Sequence, residues 1–192
     1  NVSRVSFIPL VARLAAKEFG LFEEEERGGL SCKGEHDTNV LHQLMLNDKF
    51  DRANVDTKYL QVLIRLRRMG LLKKEDIQNY GLLHILCRED YFIEKRFRFL
   101  VEWDPSALTQ TNEYGWLPIH CTSAESSIRG LELAFENGIL YFPKKKGINL
   151  LFREDKYGET PFQLACEKYK PKQVQEIVED TLIRYITSFD NH

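Results

Sequence analysis

The chain has 192 residues, of which 43% are hydrophobic and 29% charged, a balance that predicts a soluble, folded protein of one or two ordinary domains. Its formal net charge of −2 excludes a global field that would attract it to nucleic acid or to an anionic membrane. No apolar run approaches the roughly 20 residues that span a bilayer, so we expect no membrane insertion.

The first predicted helix covers residues 7–19, where apolar side chains recur at steps of three and four. Gly20 is predicted to end it. The same helix-ending pattern, a glycine followed by an aliphatic residue, recurs at Gly70 and Gly138 and is typical of a left-handed helix cap. Residues 23–37 are then predicted to form a charged, solvated loop.

Two helical pairs are predicted next. The first combines a short helix over 40–46, a polar, turn-like stretch over 47–56 and an amphipathic helix over 59–69. The second combines a helix over 82–88 with one over 92–101, which the Asp-Pro step at 104–105 ends.

Two further helix starts are marked by Pro118 and Pro161. Proline suits the first helical position because its φ is preset and because an N–H there would have no partner. Gly115 and Gly158 supply the turns that precede these helices. Second helices are predicted over 128–138 and 174–186.

The longest insert covers residues 140–154, where three lysines stand between apolar flanks. Because the flanks are too apolar to remain in water, a small hairpin or a packed loop is predicted.

The two proline-led segments belong to a longer repeated pattern. Residues 155–165 closely resemble the ankyrin-repeat signature D-x-x-G-x-T-P-L-H-x-A, and residues 112–122 resemble it more loosely. Leu-His fragments of the signature recur at His42 and His84, so the equivalent positions are His42, His84, His120 and Gln163. Their spacings are 84 − 42 = 42, 120 − 84 = 36 and 163 − 120 = 43, against an ankyrin period near 33 residues, which implies inserted loops.

This resemblance, closest to divergent ankyrin-like families of some unicellular algae, implies an all-α fold. The expected architecture is an α-solenoid of helix-turn-helix ankyrin-like repeats, joined by short turns or hairpins, in one domain over 1–192. Stacked neighbours would bury the apolar face that each helical pair cannot bury alone. The expected units are an N-terminal partial repeat, two repeats, a repeat with the long insert, and a C-terminal repeat, over 1–22, 37–76, 77–110, 111–154 and 155–192.

The chain departs from the family signature in several places. The first two copies lack Thr and Pro, Leu117 replaces Thr in the third, and Gln163 replaces His in the fourth. The Thr-His hydrogen bonds of ordinary repeats therefore cannot all form. Gly81 precedes His84 by three residues rather than five, which predicts a turn of different construction.

The resemblance also implies a non-catalytic scaffold that binds a partner protein through its turns and inner helices, with no cofactor, metal or small-molecule substrate. An aromatic residue precedes each repeat glycine, and tyrosine and tryptophan are favoured in interface hot spots. An alternative is that each tyrosine merely packs on the next turn. The candidate partner-binding residues are Tyr80, Asn112, Glu113, Tyr114, Trp116, Lys156 and Tyr157.

A second hypothesis makes the chain a structural or accessory subunit of a larger complex, with contacts made by the inserts at 22–37 and 140–154. A third is a Cys-His enzyme, because His84 lies near Cys87 and His120 adjoins Cys121. Adjacent helical residues point about 100° apart and no oxyanion donors are evident. We therefore predict that these histidines are structural and that the chain is not an enzyme.

Two further patterns have some features of binding sites. Cys32, His36 and His42 with Asp37 offer too few paired ligands for a structural zinc site, so a polar loop is predicted. The basic clusters at 65–68 with 73–74 and at 144–146 are interpreted as solvated faces rather than as nucleic-acid sites.

The four cysteines could form two disulfides, but three of them fall in segments predicted to begin helices. Small thiols are common core fillers there. All four are predicted to be reduced, which favours an intracellular and cytoplasmic location. Residues 2–16 contain Arg4 and Arg13 and do not resemble a signal peptide, so the start at Asn1 is interpreted as a cut or processed end. An organellar location stays open if a targeting segment was removed.

Overall fold

The structure, a computed structural model, describes residues 5–18, 21, 26–34, 38–46 and 52–189. All regular secondary structure in these residues is helical, which confirms the predicted all-α class. None of the described helices, including one of 19 residues at the carboxyl end, combines the length and apolarity that crossing a bilayer requires.

The helices differ widely in length, from 4 to 19 residues. In chain order they are α1 (Ile8–Arg13), α2 (Val40–Gln43), α3 (Arg52–Arg68), α4 (Glu75–Asn79), α5 (Leu82–Cys87), α6 (Glu94–Trp103), α7 (Pro118–Ala124), α8 (Ile128–Tyr141), α9 (Lys145–Asn149), α10 (Pro161–Lys168) and α11 (Pro171–Phe189). A π-helical turn continues α1, and 3-10 turns occupy Pro105–Thr109 and Leu150–Phe152.

The helices form two rows of neighbours. Helices α2, α5, α7 and α10 contact one another in succession, and so do α1, α3, α6, α8 and α11. Helices α5, α7 and α10 each also contact the longer helix that follows. The first row therefore carries the four equivalent residues on successive helices: His42, His84, His120 and Gln163.

One continuous apolar core lies between the rows. Its members recur at helical steps, as in α6, where Phe97, Leu100 and Val101 are fully buried. A buried cation sits in the same helix. Arg96 has no exposed surface, donates from Nε to Asp56 Oδ1 at 3.1 Å, and donates from Nη1 to main-chain carbonyls that follow α2.

Several predicted boundaries are wrong. Residues 52–56 begin α3 rather than continuing a turn, and α8 passes through Gly138 and ends at Tyr141. Helix α4 was not predicted. Residues 140–154 contain the end of α8, α9 and a 3-10 turn rather than a hairpin, although Leu150 and Leu151 are buried as a packed segment requires.

Close packing explains the compact insert. A Cβ on Gly147 would lie 2.5 Å from Ile139 Cα and from the Phe142 carbonyl oxygen, so only glycine lets α9 approach α8 this closely. Gly20, residues 22–25, residues 35–37 and residues 47–51 lie outside the described residues, and so do the predicted helix end at Gly20 and the parts of the predicted loops that fall in these ranges.

Candidate functional site

Two turns have the same construction. Asn112 Oδ1 accepts hydrogen bonds from the N–H groups two and four positions later, both at 3.0 Å. Asp155 Oδ1 accepts from the corresponding N–H groups at 2.7 and 3.0 Å. In each turn the first residue also donates its own N–H to the carbonyl four positions later, at 2.9 and 3.0 Å. The side chain thus organises the backbone as Asn and Asp do in tight turns.

The two turns are bonded directly to each other. Lys156 N donates to the Tyr114 carbonyl at 3.2 Å, and Lys156 Nζ donates to the Glu113 carbonyl. The indole Nε1 of Trp116 donates to Asp155 Oδ2 at 2.7 Å. These bonds fix the position of one turn relative to the next.

Gly115 is required at this contact for two reasons. Its φ of +83° lies in the region that L side chains rarely adopt, and a Cβ there would lie 3.0 Å from Lys156 N. A larger residue would therefore strain the first turn and push the second turn away.

Asp155 is held as a carboxylate. Partial burial acts to raise its pKa, but the N–H groups of Glu159 and Tyr157 and the indole of Trp116 outweigh that effect and lower the pKa. The charge strengthens each of the hydrogen bonds that Asp155 accepts.

Two of the repeated histidines, His42 and His84, connect their helices to the turns that follow. His42 Nδ1 accepts from Asn39 N at 2.9 Å, so the ring proton lies on Nε2, which is 3.2 Å from the Tyr80 carbonyl oxygen. His84 Nε2 lies 2.9 Å from the Trp116 carbonyl oxygen. Each of these side chains thereby links its helix to the next turn along the chain.

His120 and Gln163 keep the cap. His120 Nδ1 accepts from Leu117 N at 2.9 Å, and Gln163 Oε1 accepts from Thr160 N at 2.9 Å. His120 is fully buried, and its Nε2 has no hydrogen-bond partner among the described residues. Burial lowers the pKa of His120. Nearby main-chain carbonyls, chiefly that of Glu159, act to raise the pKa, although none of them forms a hydrogen bond of normal geometry with Nε2.

The tips of the two matched turns line one groove of about 310 Å³, which we call the turn groove. Tyr114 is 48% exposed and Tyr157 is 73% exposed. Arg88, which follows α5, and Glu125, which follows α7, form an ion pair in the groove with Nε and Oε2 2.8 Å apart. The complete lining is Arg88, Asn112, Tyr114, Trp116, Glu125 and Tyr157.

The structure gathers only part of the predicted set. Tyr80 does not line the turn groove, because it is half-buried after α4 with its ring edge-on to His42 at 5.9 Å. Glu113 and Lys156 are exposed on the turns but contribute no lining. The sequence analysis missed Arg88 and Glu125. Arg88 lies four residues after His84, and Glu125 lies five residues after His120. Their opposite charges at similar positions were the sequence signal for an ion pair.

The pKa of each cysteine thiol is raised by burial, whereas a Cys-His nucleophile requires a lowered pKa. All four are free thiols, and burial raises the pKa of Cys121 to about 12 and that of Cys87 well above its usual value. Among the described residues no cluster of His, Cys, Asp and Glu has the arrangement that a metal requires, and His36 and Asp37 lie outside them.

Within the basic cluster of α3, Arg67 stacks on Trp103, with the guanidinium carbon 4.3 Å from the ring centre.

Comparisons of the chain with protein-family models, with curated proteins and with solved structures give no match.

Proposed function

We propose that the chain is a non-catalytic protein-interaction module, a solenoid of degenerate ankyrin-like repeats that binds a partner protein at the turn groove. The observation that carries this proposal is the exposure of Tyr114 and Tyr157 on two turns bonded to each other. Large amphipathic side chains on a fixed backbone lose little conformational entropy when a partner binds. The ordered rows of helices are consistent with the proposed repeat architecture.

The chemistry of the groove defines the partner surface. The tyrosine rings offer apolar area with hydroxyl groups at the rim, and the Arg88–Glu125 pair offers one charge of each sign. A complementary partner therefore presents apolar side chains flanked by polar groups rather than a surface of a single charge. We place this interaction inside the cell, where the four free thiols stay reduced.

Affinity capture from the cells that make the protein tests the proposal. The intact chain and a Tyr114→Ala/Tyr157→Ala variant are used as matched baits, and captured proteins are quantified by mass spectrometry. We expect at least one protein to be enriched by the native bait and depleted about tenfold or more by the variant, because interface tyrosines often contribute 2 kcal/mol or more.

Tyr91→Ala is the matched control, since Tyr91 is also exposed, at 43%, but does not line the turn groove. It should capture the same proteins as the native chain. Equal capture by the native, double-variant and control baits would contradict the proposed site, provided that circular dichroism shows the same helicity for all three.

A second candidate function is that of a subunit in a larger assembly. It is favoured by an exposed apolar stripe at one end of the longer row, where Phe7, Leu10, Val11 and Leu14 follow helical spacing. Terminal repeats of an isolated array usually present a polar outer face. Native mass spectrometry of the protein isolated from its own cells tests this candidate, and a monomer with no associated chain would contradict it.

A further inference from the structure

A second cavity, larger than the turn groove, lies at the long insert and shares no residue with it. Its volume is about 730 Å³, within the range of about 300–1,000 Å³ typical of ligand pockets. Phe142, Leu150 and Phe152 contribute its apolar surface, and Lys146 and Arg153 contribute two cations. We call this cavity the insert groove.

The apolar part of the insert groove has a fixed shape. Leu150 is buried in the core, and Phe152, which is 52% exposed, packs against the ring of Phe162 with centres 5.6 Å apart. Helix α9 forms the wall that carries Lys146 and is held close to α8 through Gly147. A ligand side chain would therefore enter a preformed apolar site.

The charges of the insert groove are uncompensated. No lining residue is acidic, and neither Lys146 nor Arg153 forms an ion pair with any carboxylate in the described part of the chain. Among the described residues, the Arg153 guanidinium makes a single long hydrogen bond of 3.5 Å, to the Thr109 carbonyl, which leaves most of its donors available. Lys144 and Lys145 precede Lys146 and are exposed as well, so three consecutive cations stand at this edge of the groove in a chain of net charge −2.

We propose that the insert groove binds an acidic peptide segment of a partner protein, with one large apolar side chain of that segment seated against Phe142, Leu150 and Phe152. Carboxylates on either side of the anchor would pair with Lys146 and Arg153. A single-stranded nucleic acid fits less well. The lining includes the aliphatic Leu150, and the Phe152 ring already packs against Phe162, whereas nucleic-acid grooves stack bases on free aromatic faces.

Fluorescence anisotropy with a defined probe tests this proposal. The probe is a fluorescein-labelled, amidated octapeptide with three aspartates on each side of a Phe-Leu pair. We expect saturable binding to the intact chain with a Kd below about 100 µM in 50 mM salt, weakening as salt is added because the pairs are solvent-exposed. Peptides with asparagine in place of aspartate, or with serine in place of the central pair, should bind at least about tenfold more weakly.

Charge reversal locates the site. A Lys146→Glu/Arg153→Glu variant should weaken peptide binding by about tenfold or more. A Lys144→Glu/Lys145→Glu variant reverses the same number of charges at neighbouring positions that do not line the groove, and it should change binding by less than about threefold. The Tyr114→Ala/Tyr157→Ala variant should bind the peptide as the native chain does, which separates this site from the turn groove. Absence of saturable binding, equal binding by the reversed variant, or tighter binding of a twelve-residue oligothymidylate than of the peptide would overturn the proposal.

Discussion

Replacement of Asp155 by alanine should destabilise the protein by about 2 to 4 kcal/mol. Asp155 accepts three hydrogen bonds, from Trp116 Nε1 at 2.7 Å, from Tyr157 N at 2.7 Å and from Glu159 N at 3.0 Å. A typical hydrogen bond contributes about 0.5 to 1.5 kcal/mol net, and one to a charged group contributes more. The loss should appear in urea unfolding at neutral pH as a lower midpoint with an unchanged slope.

Replacement of Asp155 by asparagine separates the two roles of the side chain. Asn112 already organises the preceding turn through its Oδ1, so asparagine at position 155 should keep the two bonds within its own turn. Its amide nitrogen would then face the indole N–H of Trp116, where two donors cannot bond. We therefore expect Asp155→Asn to cost about 1 to 2 kcal/mol, less than the alanine variant.

A double-mutant cycle with Trp116→Phe isolates the bond between the turns. The coupling free energy between Asp155→Asn and Trp116→Phe should be about 1 kcal/mol, because each change removes the same hydrogen bond. Equal destabilisation by the asparagine and alanine variants would refute the account of the turn. A coupling near zero would refute the bond between the two turns.

Three further predictions concern buried polar groups. Arg96→Ala should lower the free energy of unfolding by about 3 to 5 kcal/mol in urea titrations, because the Asp56 carboxylate and the main-chain carbonyls that Arg96 binds would lose their partner. A loss below about 1 kcal/mol would contradict that role. Burial is the main cause that lowers the pKa of His120, so the unfolded chain binds this proton more readily. The resulting stability is complete above about pH 6.5 and decreases as the pH falls below that value. His120→Gln should reduce the loss measured by thermal unfolding between pH 7 and pH 5, and an unchanged pH dependence would count against it. Cys87 and Cys121 should react with a thiol reagent only as fast as the protein unfolds, whereas prompt labelling at neutral pH would support a reactive thiol.

Local chemistry made part of this molecule predictable from its sequence. Pro118 and Pro161 each start a helix as predicted, because a first-position proline acts through its own φ and its missing N–H. The capping contacts of His42 and Gln163 are equally local, since each joins residues three positions apart. Such local signals can be read from the sequence without knowing which distant segments meet.

Features that depend on distant contacts were not predictable in the same way. Gly138 has the sequence of a helix cap, yet α8 continues through it because this stretch packs against the insert that follows. Tyr80 precedes a glycine as Tyr114 and Tyr157 do, but Gly81 is the cap residue of α5 and the ring of Tyr80 packs on His42. The shorter spacing from Gly81 to His84 predicts a different turn, but the position of the Tyr80 ring depends on its tertiary contact with His42.

The turn groove is too small to form a stable protein interface by itself. Each large aromatic side chain buries about 150–250 Å², so complete burial of Tyr114 and Tyr157 would provide at most about 500 Å². One side of a standard protein interface buries about 800 Å². A partner that binds stably must therefore cover more than the two tyrosines, and the charged residues Arg88 and Glu125 adjoin them directly. Replacing either tyrosine alone should then weaken a stable complex, whereas reversing the charge of Arg88 should also change the choice of partner.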